Sequence, residues 1–63
     1  MSDHIRYLEV RLEVAKQLAE RALEEEALAD DRPARQHWVN QHAYWSERAT
    51  YLRRRLEEEA DRA

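Results

Sequence analysis

The chain has 63 residues, a net charge of −3 at neutral pH, one proline, and neither glycine nor cysteine. The lack of cysteine excludes disulfides and thiolate metal sites, and the lack of glycine argues against tight β-hairpins and phosphate-cradling loops. Charged residues make up 40% of the chain, but regular apolar positions interrupt them, and the abundant Ala, Glu, Leu and Arg are the residues of long helices rather than of disordered segments.

A chain this short buries a small share of its surface, so its core is marginal without a disulfide, a metal or a partner. Residues 1–31 carry four basic and nine acidic side chains, a balance of −5, whereas residues 32–63 carry seven and five, a balance of +2. Two halves of opposite sign attract when folded against each other. The overall acidity weighs against nucleic acid, whose binding footprints are basic. No apolar run reaches signal-peptide or membrane-spanning length, and the sequence reads as that of a cytoplasmic protein.

The first helix is predicted over residues 2–29. Ser2 is its expected N-cap, and Asp3 sits in the first turn, facing the positive end of the helix dipole. Ile5, Leu8, Leu12, Ala15, Ala19 and Ala22 alternate at spacings of three and four, which makes an apolar seam. A second row, Tyr7, Val10, Val14 and Leu18, flanks it and widens the apolar arc to roughly 200°. One partner helix covers only a narrow stripe, so this arc implies two neighbours.

The turn is expected at residues 30–33, with Asp31 or Arg32 capping the second helix and Pro33 in its first turn, where a missing N–H costs nothing. The second helix is predicted over residues 33–61. Its seam is Ala34, Trp38, Gln41 or His42, Trp45, Ala49, Leu52, Leu56 and Ala60. A flanking row holds His37, Tyr44, Arg48, Tyr51 and Arg55.

A turn centred near Asp31 brings together residues whose numbers sum to about 61, by the equal rise of two antiparallel helices. Ile5 then faces Leu56, Leu8 faces Leu52, Leu12 faces Ala49, Ala15 faces Trp45, Ala19 faces His42 and Ala22 faces Trp38. Large side chains repeatedly meet small ones, as close packing favours, and both tryptophans are expected in the core. The same register brings Glu26 towards Arg35 and Glu13 towards Arg48.

The residues with reactive side chains fall in patterns that support no chemistry. His37 and His42 are five apart, whereas a helical metal pair needs a spacing of three or four. Ser46 lies on the polar side of the second helix, away from either seam histidine, and a two-helix chain has no concave pocket of ligand size. No enzymatic activity, metal or cofactor is expected. In the run from Arg53 to Glu59, Arg53, Arg54 and Arg55 each precede a glutamate by four residues, which reads as a self-neutralising helix end.

The expected fold is therefore all-α: an antiparallel two-helix hairpin that dimerises into a four-helix bundle. The expected function is a small protein–protein interaction or regulatory module acting as a homodimer, with another protein as partner and no membrane role. The candidate interface is Tyr7, Val10, Val14 and Leu18 together with Tyr44, Arg48, Tyr51 and Arg55, because tyrosine and arginine concentrate at binding hot spots. Glu25 is close enough to answer one of the arginines. In length and expected architecture the chain resembles the hairpin-dimer regulators of plasmid copy number. That likeness is one of shape, carries over no residue, and implies the alternative of an RNA- or DNA-binding hairpin dimer.

Overall fold

The computed structural model describes residues 3–62; Ser2, the expected cap of the first helix, lies outside them. Two α-helices, α1 (Asp3–Leu28) and α2 (Arg32–Arg62), run 26 and 31 residues and pack against each other as a rod of 48 × 14 × 11 Å. Among the described residues there is no strand.

The turn is tighter than expected and spans residues 29–31. At the end of α1 the Ala29 N–H reaches back only three residues, to the Glu26 carbonyl at 3.3 Å, which tightens the last turn and ends the helix at Leu28. Asp31 caps α2. Its carbonyl accepts the Arg35 N–H at 3.0 Å and its side chain accepts the Ala34 N–H at 2.8 Å. An N-cap side chain serves the second or third helical N–H. The second helical residue here is Pro33, which has none, so the bond falls on the third. Arg32 therefore starts the helix rather than capping it. The Arg35 guanidinium donates to the Ala29 carbonyl at 3.4 Å, tying the end of α1 to the start of α2. This bond takes the place of the expected approach to Glu26.

The seam forms in the expected register. Leu8, Ala15, Ala49 and Leu52 are buried as one cluster, with Leu12, Trp45 and Leu56 packed against it; Ala19 and Ala22 are also buried. Among the described residues, four of the six that are buried are alanines. The tryptophans differ from expectation: Trp38 and Trp45 are only partly covered, and no large side chain is fully buried among the described residues. The cause is geometric. An indole fits over a facing alanine, but two helices enclose it on one side only, so its outer edge stays in water.

The predicted charge pairs are mostly absent. Glu13 takes Lys16 at 3.8 Å and Gln17 at 3.4 Å on its own helix and makes no ion pair with Arg48. Of the three Arg–Glu pairs in residues 53–59, only Arg55–Glu59 closes, at 3.7 Å. An arginine placed N-terminal to its glutamate is in the weaker of the two orders on a helix, and exposed pairs of that kind gain little over hydration.

Candidate functional site

Helix geometry decides how the two flanking rows relate. At 100° per residue the α1 row is centred roughly 125° and the α2 row roughly 100° from its own seam, in the same rotational sense, with Val10 turned nearly opposite its seam. Antiparallel helices packed seam to seam are related by a two-fold axis normal to the plane that holds both. Offsets in the same sense therefore place both rows on one broad face of the hairpin. The register that pairs Leu8 with Leu52 also sets Val10 level with Tyr51, Val14 with Arg48 and Leu18 with Tyr44. Seven of the eight residues, scattered over more than forty positions of sequence, become one surface, and Val10 faces outward beyond its edge.

That surface is open. Tyr7 is 59% exposed, Val10 52%, Tyr44 56% and Tyr51 50%, and Val14 and Arg48 are exposed as well. Leu18 and Arg55 are half-covered because they lie nearer the seam. The α2 row is also internally braced. The Arg48 guanidinium lies 5.3 Å from the centre of the Tyr51 ring, a cation–π stack. The Tyr44 ring meets Trp45 edge to face at 4.8 Å and 85°, which ties an exposed tyrosine to a residue packed on the core. His37 stands edge to face against Trp38 at 4.8 Å and is exposed, whereas His42 is half-buried on the seam. Glu25, the expected answer to an arginine, lies on the same face but nearer the turn, and makes no ion pair.

The structure also brings together a cluster that the sequence reading missed. Glu59, whose side chain is only 17% exposed, receives three groups on one oxygen: His4 Nε2 at 3.9 Å, Arg55 Nη2 at 3.7 Å and Arg62 Nη1 at 3.0 Å. His4 is the sole contribution from α1, and the contact is an ion pair only when that imidazole is protonated. The cluster sits at the open end of the hairpin, far from the turn. Its signal was present, since His4 and Glu59 obey the same register as the seam. It was hidden because Glu59 also reads as one of three consecutive surface glutamates.

The cavities around Tyr51, including one lined by Ser46, Glu47, Thr50 and Arg54, are open depressions on the outside of α2. The Thr50 hydroxyl donates to the Ser46 carbonyl at 3.1 Å, a local bond common on helices. Among the described residues no three His, Asp or Glu converge on a point that would hold a metal ion. No described helix is long and apolar enough to cross a membrane. The chain matches no known protein family, no curated protein and no solved structure, so the face formed by the two rows rests on its own geometry.

Proposed function

We propose that this chain is a small non-enzymatic interaction module that acts as a helical-hairpin homodimer, closing a four-helix bundle and engaging another protein. The observation that carries this reading is the open face built from Tyr7, Val14, Leu18, Tyr44, Arg48, Tyr51 and Arg55, with Val10 beyond its edge. A contiguous exposed apolar patch on a small chain marks an interaction surface. Tyrosine supplies a large amphipathic contact area with little rotamer freedom to lose.

Self-association is supported by the thinness of the core. Six buried residues among those described, four of them alanine, give a single hairpin little apolar burial, and pairing is the common remedy at this size. A closed two-fold dimer is the simplest assembly that shares a core. A folded 7.6 kDa species that stays monomeric in sedimentation at micromolar concentration rejects the homodimer.

The double substitution of Tyr44→Ser and Tyr51→Ser resolves the role of the row. Loss of the dimer makes the row a self-interface. An intact dimer that no longer retains its partner makes it the partner surface. Retention of both returns it to ordinary solvated helix. The alternative of RNA or DNA binding calls for strongly salt-dependent retention of nucleic acid, and the −3 net charge sets it second.

A further inference from the structure

The charges on the open face are arranged differently from those on the rest of the hairpin. Arg11 and Arg48 lie closest to the line midway between the helices on that face, and the register sets them within about one helical turn of each other. Arg21 stands at its edge. None of these three makes an ion pair, in a chain that holds 14 carboxylates. The reason is position: the carboxylates of α1 between Glu9 and Glu20 all project to the outer back or the opposite broad face, where they mix with Lys16 and Arg53. Glu47 stands at the outer margin of the open face, lining a depression with Tyr44, Arg48 and Tyr51, and the other acids of the face lie at its ends. Glu25 lies towards the turn, and Glu59, already holding Arg55, towards the open end.

The centre of the face is thus a basic midline, with Val14 and Leu18 along one side and Tyr44 and Tyr51 along the other. Resting on the interaction-module reading above, we propose that this face is a receptor groove for an acidic amphipathic helix of another protein. That helix lies along the rod, presents glutamates or aspartates to Arg11 and Arg48, and sets apolar side chains on either flank. A helix in a groove is read through contacts at successive turns, and the 48 Å rod offers length for several. Charge complementarity selects this occupant over the others. A second copy laid face to face brings two Arg11 and two Arg48 into one layer, and like charges brought together across an interface are strongly unfavourable. A nucleic acid answers the arginines but leaves Val14 and Leu18 without an apolar counterpart. Self-association is left to the opposite face and the turn end, where Leu23, Val39 and Leu28 are exposed.

The test uses a dye-labelled, three-heptad helical peptide with glutamate along the centre of its contact stripe and leucine on both sides. A lysine-for-glutamate counterpart and a labelled oligothymidine serve as comparisons, and binding is read by anisotropy. The glutamate peptide is expected to bind at least about tenfold more tightly than the lysine peptide. Arg11→Glu with Arg48→Glu is expected to reverse that order, Tyr44→Ser with Tyr51→Ser to weaken both peptides, and Lys16→Glu with Arg53→Glu, on the opposite broad face, to leave the preference in place. Equal affinity for the two peptides, a preference that fails to reverse, or no binding of the glutamate peptide overturns the proposal. Binding of the oligothymidine alone makes the groove a nucleic-acid site, which also overturns it. Sedimentation of the same variants separates the two readings. A monomeric wild type with an intact charge reversal sinks the homodimer and leaves the groove standing. A dimer lost on Arg11→Glu with Arg48→Glu makes the face a self-interface and sinks the groove alone.

Discussion

The two ends of the hairpin are held together by different means. At the open end the seam is built of leucines: Leu8, Leu12, Leu52 and Leu56 surround Ala15 and Ala49, and Glu59 gathers His4, Arg55 and Arg62 beyond them. At the turn end the buried residues are the small Ala19 and Ala22, while Leu23 and Leu28 stand exposed. Yet the turn end carries the most directed hydrogen bonding in the chain, through the Asp31 cap and the Arg35 link to Ala29. The contrast follows from connectivity. Near the turn the covalent chain keeps the helices together, so alanine-sized contacts suffice. Far from it nothing but side chains opposes separation, and apolar bulk and charge are concentrated there.

This account can be broken most directly at the open end. Leu52→Ala is expected to cost about 3 kcal/mol, within the range for deleting a buried leucine, read as a drop in the midpoint of chemical unfolding at fixed protein concentration. Little or no loss would show that the leucine cluster does not hold the open end. Trp45→Ala comes next, at about 2 kcal/mol. Its ring is only partly covered, which places it below the usual cost of removing a buried aromatic.

The turn end gives the next comparison. Asp31→Ala removes the α2 cap and is expected to cost about 1 kcal/mol, with Asp31→Asn recovering most of it in the same thermal melts. A loss larger than that of Leu52→Ala would mean that the turn, not the leucine seam, sets the stability of the hairpin. Glu59→Gln should cost about 0.5–1 kcal/mol, because three partially exposed contacts share one carboxylate. Hydrogen exchange should show that loss first in the last turns of α2. If protection falls evenly along both helices instead, the cluster is not a local clasp. Smallest of all, Arg54→Ala is expected to change stability by less than about 0.5 kcal/mol, as at an ordinary surface position.

The fold was legible because its two signals are local and periodic. The spacing of Ile5 to Ala22 and of Trp38 to Leu56 fixed two amphipathic helices. A lone Pro33 after two aspartates fixed the break, and a short turn leaves antiparallel packing as the only outcome for helices of this length. Register followed from equal rise along both helices. The turn boundaries were off by one or two residues, because which backbone groups bond across Asp31 depends on the missing N–H of Pro33.

The members of the open face were also legible in the sequence, since Tyr7 to Leu18 and Tyr44 to Arg55 are evenly spaced stripes beside the seams. Their union was not. That both rows lie on one side of the hairpin follows from the sense in which the helices face each other, and no window along the chain contains it. The same holds for the basic midline of Arg11 and Arg48, which come from different helices, and for the His4–Glu59 contact at the open end. The partial exposure of Trp38 and Trp45 was decided in the tertiary structure as well. Sequence pattern says which side of a helix is apolar, but how much water reaches that side depends on how many neighbours arrive, and here one helix meets one helix.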